Sequence, residues 1–370
     1  MFITIPQADL TTGVLTVHRA VATNNTVPAL TGILLKAEND RLSLMASDNE
    51  ISISSSVKAT VETPGGIILP ARYLLDIVRK IPGGDIKIQV ERANWTASIT
   101  WGRSQFVVHG LEPEQYPKIL FESGSDGIKI SQSKIKDMIR GTAFAVAQNE
   151  SRPVLTGELL EILPSEVRMV AIDGVRLAMA KGEISWSGPA QRAVIPGRAA
   201  NEVSRLLSSD LAQECILSVT ENQVFFDLGE TRFVSRLLEG QFPPYEQIIP
   251  SKFRTQVSLS TQDFHDACER ASLLSVDNDR TIKIEAKEDL LIITSSTPEV
   301  GKVREELECS VEGDALEIAF NARYLIDGLE AINSEKVLFQ ANGPYSPSCI
   351  KPSDNENNIY VAMPLRTLGD

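Results

Sequence analysis

Nine residues recur almost unchanged in this chain: VPALTGILL from Val27 to Leu35 returns as RPVLTGELL from Arg152 to Leu160, 125 positions on. Six of the nine are identical, so a domain-length stretch has been duplicated. A repeat of that period constrains the fold more than any single motif does, because it calls for like modules set side by side.

Other features keep the register. Asp48 recurs as Asp173, again 125 on, and the neighbouring Ala46 recurs as Ala171. LPARYLLDIVRKI (69–81), IPGRAANEVSRLL (195–207) and FNARYLIDGLEAI (320–332) are three versions of one segment, and they put Arg72, Arg198 and Arg323 in step. Phe106, Phe233 and Tyr360 follow at intervals of 127. Three copies are therefore expected, with domains over 1–125, 126–253 and 254–370. The boundaries fall in FESGSDG (121–127) and PSKFRT (250–255), where apolar periodicity stops.

At 370 residues and 42% hydrophobic, the chain has material for several cores of ordinary domain size. The four cysteines, Cys215, Cys268, Cys309 and Cys349, have no paired spacing and read as reduced thiols of a cytoplasmic protein. No signal sequence and no run of 18 apolar residues is present, which argues against secretion and membrane insertion.

Each copy is expected to alternate strands with two amphipathic helices. The first-helix stripes are Leu10, Val14, Val17 and Val21; Ile135, Met138, Ile139, Thr142, Ala143 and Val146; and Phe264, Ala267, Cys268, Ala271 and Leu274. The second helices carry Leu74, Val78 and Ile81, then Val203, Leu206 and Leu207, then Leu325, Leu329 and Ile332. Runs 86–91 and 224–228 read as strands with one wet face, and the Pro-Gly-Gly triplets at 64–66 and 82–84 read as turns.

No phosphate-binding, metalloprotease or nucleophile-elbow motif is present, and His18, His109 and His265 lie far apart. His18 reads as a packed helical residue. Asp173-Gly174 would suit a catalytic carboxylate, but Asp48-Asn49 at the same repeat position makes both a tight turn. The net charge of −13 opposes non-specific adhesion to nucleic acid by the whole surface. The helix patterns nonetheless concentrate Arg19, Arg72, Arg79, Lys80, Lys134, Lys136, Arg140, Arg198 and Arg205. Screening over about 8 Å lets such a face act locally on a duplex.

These residues resemble a known family, the bacterial DNA sliding clamps, beta subunits of DNA polymerase III. The resemblance spans essentially the whole chain and rests on RPVLTG followed by AIDGVRLAMA (171–180), FPPYEQIIP (242–250), FNARYL (320–325) and VAMPLR (361–366). It implies an α+β clamp fold of three domains, each with two helices backed by two small antiparallel sheets. Two chains would join head to tail into a ring around duplex DNA, a processivity factor with no catalytic activity, metal or cofactor of its own. A ring holds DNA by topology and slides on weak phosphate contacts.

The resemblance also implies sites. DNA-facing residues are Asn24, Arg72, Asn149, Pro153 and Val154, with Arg198 added from the repeat; Asn24 and the pair Pro153-Val154 depart from the basic and aromatic residues of some relatives. A groove for short linear peptides of the replicative polymerase, the clamp loader, other polymerases and repair factors comprises Leu155, Ile172, Gly174, Val175, Arg176, Leu177, Pro243, Gln247, Ile248, Asn321, Tyr324, Tyr345, Ser346, Val361, Ala362, Met363, Pro364, Leu365 and Arg366. Aliphatic walls with an adaptable Met suit a promiscuous apolar anchor site. The dimer seam joins Arg103, Phe106 and Val108 to Leu273, Leu274, Glu299, Glu305 and Glu306. Two other readings, an α+β enzyme and a repeat scaffold that binds protein without encircling DNA, are separated from the clamp by whether a closed ring forms.

Overall fold

The computed structural model describes residues 1–23, 26–119, 121, 127–149, 151–275, 280–298 and 300–366. The first copy runs β1 (Phe2–Pro6), α1 (Gln7–Val17), β2 (Gly32–Glu38), β3 (Arg41–Ser47), β4 (Ile51–Lys58), β5 (Thr60–Thr63), β6 (Gly65–Pro70), α2 (Ala71–Lys80), β7 (Asp85–Glu91), β8 (Thr96–Trp101) and β9 (Ser104–His109). The second runs β10 (Ile128–Ser131), α3 (Gln132–Arg140), β11 (Gly157–Ile162), β12 (Glu166–Ile172), β13 (Arg176–Glu183), β14 (Gln191–Pro196), α4 (Gly197–Leu206), β15 (Glu214–Val219), β16 (Gln223–Asp227) and β17 (Thr231–Arg236). The third runs β18 (Thr255–Ser260), α5 (Thr261–Ser272), β19 (Thr281–Lys287), β20 (Leu290–Thr297), β21 (Gly301–Glu308), β22 (Ser310–Gly313), β23 (Leu316–Asn321), α6 (Ala322–Glu330), β24 (Lys336–Ala341), β25 (Ser348–Pro352) and β26 (Asn358–Ala362).

Strand pairing crosses the repeat boundaries. By contacts the chain forms two compact units, residues 1–133 with 205–237 and residues 134–204 with 238–370. In the first, one sheet has the order β5-β1-β7-β8-β9 and the other β10-β15-β16-β17-β4-β3-β2-β6. In the second, the orders are β14-β11-β12-β13-β26-β25-β24-β18-β22 and β21-β20-β19-β23. β17 lies antiparallel to β4 with Phe233 opposite Ile53, and β13 to β26 with Leu177 opposite Val361. Backbone groups left open at a sheet edge invite such pairing, which here ties one part of the middle copy to each of its neighbours.

In the first unit α1 buries Leu10, Gly13, Val14 and Val17 on β3 and β4. The helix seats so close that a Cβ on Gly13 would stand 2.7 Å from Leu44 Cδ1. Each buried aliphatic contributes about 1.5–3 kcal/mol. In the second unit α5 and α6 bury Phe264, Ala267, Cys268, Ala271, Leu325 and Leu329 around the aromatic pairs Phe264–Phe339 and Phe320–Phe339. Ser260 Oγ caps α5 by accepting from Asp263 N, and Asn321 Oδ1 caps α6 by accepting from Arg323 N.

Several sequence expectations need correction. The first-helix stripe of the middle copy is too long: α3 ends at Arg140, and a 3-10 turn covers Ala143–Ala145. The break falls at Thr142, whose hydroxyl turns back on the helix to meet Met138 O. Val21, Leu274, Ile81, Leu207 and Ile332 likewise lie beyond their helices. Pro64–Gly66 is not a turn, because Gly65 and Gly66 open β6, whose pairing with β2 keeps the chain extended. β16 buries Val224, Phe225 and Phe226 in succession, so it lacks the wet face expected of it. β7 does alternate exposed and buried residues along its length. His18 falls in a 3-10 turn just past α1, half-buried.

Candidate functional sites

The two turns matched by the repeat share one construction. Asp48 Oδ1 accepts from the N–H groups of Glu50 and Ile51 at 3.0 and 2.8 Å. Asp173 Oδ1 accepts from Val175 and Arg176, both at 3.0 Å. The residues that follow these aspartates, Asn49 and Gly174, have φ of 78° and 100°, the region that Asn and Gly tolerate best. Both aspartates are thus turn residues.

In the second unit Leu155, Ile172, Leu177 and Val361 converge in one buried cluster with Val170, Met179, Phe242 and Tyr245. They form an apolar floor. Around it Val175 is 40% exposed and Met363 39%, and Gln247, Ile248 and Tyr345 are also open to solvent. Pro243, Tyr324, Ser346, Pro364 and Leu365 are half-buried, Ala362 is buried, and Arg366 is exposed. Two backbone hydrogen bonds fix the chain end: Met363 N donates to Val175 O at 2.9 Å, and Leu365 N to Ala319 O at 2.8 Å. Tyr345 and Leu365 share a small cavity of about 20 Å³ with Lys283, Glu317, Ile318, Ala319 and Pro344.

Arg176 is the fixed charge of this region. Its guanidinium donates to Asp173 Oδ2 at 2.9 Å, Asp327 Oδ2 at 2.7 Å and Phe144 O at 2.8 Å. It also lies 4.9 Å from the Tyr324 ring centroid and 5.6 Å from that of Phe144. Burial alone would lower its pKa, but the bonds to Asp327 and Asp173 outweigh that and raise it. Sequence reasoning missed Phe144, Asp327, Phe242 and Tyr245. Asp327 stands one turn after Arg323 and on the side of α6 that carries Tyr324, the only sequence signal that pointed to it. Tyr245 donates to Glu161 Oε2 at 2.6 Å and accepts from Arg168 at 3.1 Å, which closes one side of the cluster.

Arg72, Arg198 and Arg323 occupy the second position of α2, α4 and α6, and all three are exposed. A cation in the first turn opposes the helix dipole at a cost of about 0.3–1 kcal/mol. Asn149 is exposed, and its Oδ1 accepts from Ser151 Oγ at 2.7 Å. Pro153 is exposed at the start of a 3-10 turn, while Val154 is half-buried against the apolar cluster. Asn24 lies outside the described residues.

Among the described residues β9 and β21 are sheet edges, whereas their counterparts pair across a repeat boundary. β9 is the repeat equivalent of β17 and β26, and β21 that of β4 and β13. β9 exposes Phe106, stacked at 5.1 Å on Trp101, and Val107, with Val108 half-buried and Arg103 exposed in the preceding turn. Next to α5, Leu273 is 79% exposed and Leu274 half-buried. Glu305 accepts from Arg270 at 2.7 Å and Glu306 from Arg304 at 2.8 Å. Glu299 lies outside the described residues. Among those residues no helix is long and apolar enough to cross a membrane.

Comparison with known proteins matches this arrangement along its length. Family models for the N-terminal, central and C-terminal domains of the DNA polymerase III beta subunit match residues 1–120, 129–244 and 246–366. The chain is 34% identical to the beta sliding clamp of Staphylococcus aureus over 359 residues, 94% of this chain and 95% of that one. The DNA polymerase sliding clamp of Bacillus subtilis superposes with a TM-score of 0.94 at 32% identity, covering 99% of each chain. The griselimycin-bound clamp of Pseudomonas aeruginosa also gives 0.94 at 32%, over 99% of this chain and 100% of that one. The chain belongs to the beta sliding clamps, the DNA polymerase III beta subunits, and its role is that of a replication processivity clamp.

Proposed function

We propose that two copies of this chain pair β9 of one with β21 of the other, closing a ring that encircles duplex DNA and slides along it. The open β9 and β21 edges carry this reading. In both pairings within the chain, equivalent residues meet: Phe233 stands opposite Ile53, and Tyr360 opposite Ala178. Ile53 and Ala178 are 125 apart, and the next equivalent is Val303. The same register sets Phe106 opposite Val303 of a second copy, and Arg103 opposite Glu306. Leu273 and Leu274 would then pack on the Phe106 and Val108 side of the seam, with Glu305 near Arg103.

In this reading the modules follow the three copies, 1–125, 126–253 and 254–370. Arg72, Arg198, Asn149, Pro153 and Val154 face the duplex, where weak phosphate contacts leave the ring mobile. The groove around Leu155, Leu177, Val361 and Met363 takes short apolar segments of the replicative polymerase and other partners. The chain works in the cytoplasm without catalysis of its own. Cysteines placed at Phe106 and Val303 should give a covalent dimer on oxidation, and a clamp loaded on circular DNA should slide off once the circle is cut. Equal retention on circular and linear DNA would mean that contact affinity, not topology, holds the protein.

A further inference from the structure

Glu158, the second residue of β11, has its side chain fully buried, an unusual place for a carboxyl. Oε2 lies 2.6 Å from Thr142 Oγ1, and Oε1 has no hydrogen-bond partner. Thr142 Oγ1 is in turn 2.9 Å from Met138 O in the last turn of α3. A hydroxyl has one hydrogen. If it goes to Met138 O, the short contact with Glu158 requires the carboxylic acid to donate through its own O–H.

Among the described residues no charged partner of Glu158 is found. On α3, Lys134 donates to Glu183 O, Lys136 is half-buried, and Asp137 and Arg140 are exposed. On the flanking strands Arg192 pairs with Glu161, and Arg168 bonds Tyr245 and Glu166. Burial pushes the Glu158 carboxyl up to about 8, against a smaller opposing effect of the Thr142 bond.

The break at Thr142 leads straight to the groove. Ala145 N donates to Thr142 O at 2.9 Å, Phe144 O accepts from Arg176, and Ala147 N donates to Leu155 O at 2.8 Å. We infer that Glu158 and Thr142 form a proton-operated latch on the 142–147 segment, by which loss of the Glu158 proton loosens the groove. Ionised, Glu158 can only accept, so it competes with Met138 O for the single Thr142 hydrogen. One of the two acceptors then goes unsatisfied in an apolar interior, and the strain falls on the link to Leu155 and Arg176. The effect on peptide capture rests on the groove reading above, whereas the latch itself does not.

Amide hydrogen exchange at Gly141, Thr142, Ala145 and Ala147 tests the latch on the intact protein from about pH 6.5 to about 9.5. Beyond the base-catalysed trend, wild-type exchange should rise about tenfold more than that of Glu158→Gln, whose amide donates at every pH. Equal profiles overturn the latch. Thr142→Val, which removes the shared hydrogen, should also lose the excess rise and serves if Glu158→Gln folds poorly. In parallel, a fluorescein-labelled polymerase-derived peptide should bind about fivefold or more weakly at the upper pH in wild type alone. Unchanged affinity beside changed exchange removes the link to the groove. Absence of peptide binding at any pH counts against the groove reading and leaves the exchange result to decide the latch.

Discussion

Arg176 donates to Asp327 across 2.7 Å, and 151 positions of sequence separate the two residues. That bond fastens the first residue of β13, in the middle copy, to α6 of the third. Both side chains are largely buried, so losing the bond removes a partner from each. Asp327→Ala leaves Arg176 with Asp173 and Phe144 O only, and should lower unfolding free energy by about 2–4 kcal/mol in denaturant titration. Asp327→Asn retains an acceptor and should lose less. A loss below about 0.5 kcal/mol for the alanine variant would mean that Asp173 alone satisfies the guanidinium.

The seam prediction rests on Leu273, which no described residue covers, and on its neighbour Leu274. Replacing both with glutamate should convert the dimer into a folded monomer, because burying unpaired charge costs several kcal/mol while each chain keeps its own cores. Sedimentation velocity with circular dichroism reads both properties. An intact dimer would place the seam elsewhere.

Among the described residues of the chain end Met363 is the most exposed apolar side chain, and its amide is held by Val175. Met363→Ala should weaken a polymerase-derived peptide by about 1–2 kcal/mol, roughly five- to thirtyfold, with thermal stability nearly unchanged. Fluorescence anisotropy at the same affinity as wild type would exclude Met363 from the anchor site.

Glu158 also makes stability pH-dependent. Its carboxyl sits at about 8 when folded, against 4.5 for an unperturbed side chain, so the folded state binds the extra proton between those values. Its contribution to stability is full below pH 4.5, is lost as pH rises toward about 8, and changes no further above that. Glu158→Gln should flatten this dependence and give a more stable protein than wild type at pH 9, by an amount on the order of a few kcal/mol. Parallel stability curves for the two proteins across that window would be the contrary result.

The sequence by itself determined the threefold architecture, since the Arg-helix segment recurs three times, and the LTG and Asp-turn segments recur twice at the same spacing. Of the residues that the resemblance named for a peptide groove, Leu155, Ile172, Leu177 and Val361 meet in one buried cluster. Periodicity found the helices but overran their ends, because apolar residues continue past each helix into the turns that cover the same core. Tertiary structure alone decided how the copies join, since backbone groups that carry no side-chain signature make the pairings of β17 with β4 and β13 with β26. It alone set Asp327 against Arg176 and buried Glu158 beneath the end of α3. Partners 151 positions apart, and a carboxyl placed under a helix, follow from how packed layers meet in space, and no local pattern encodes that.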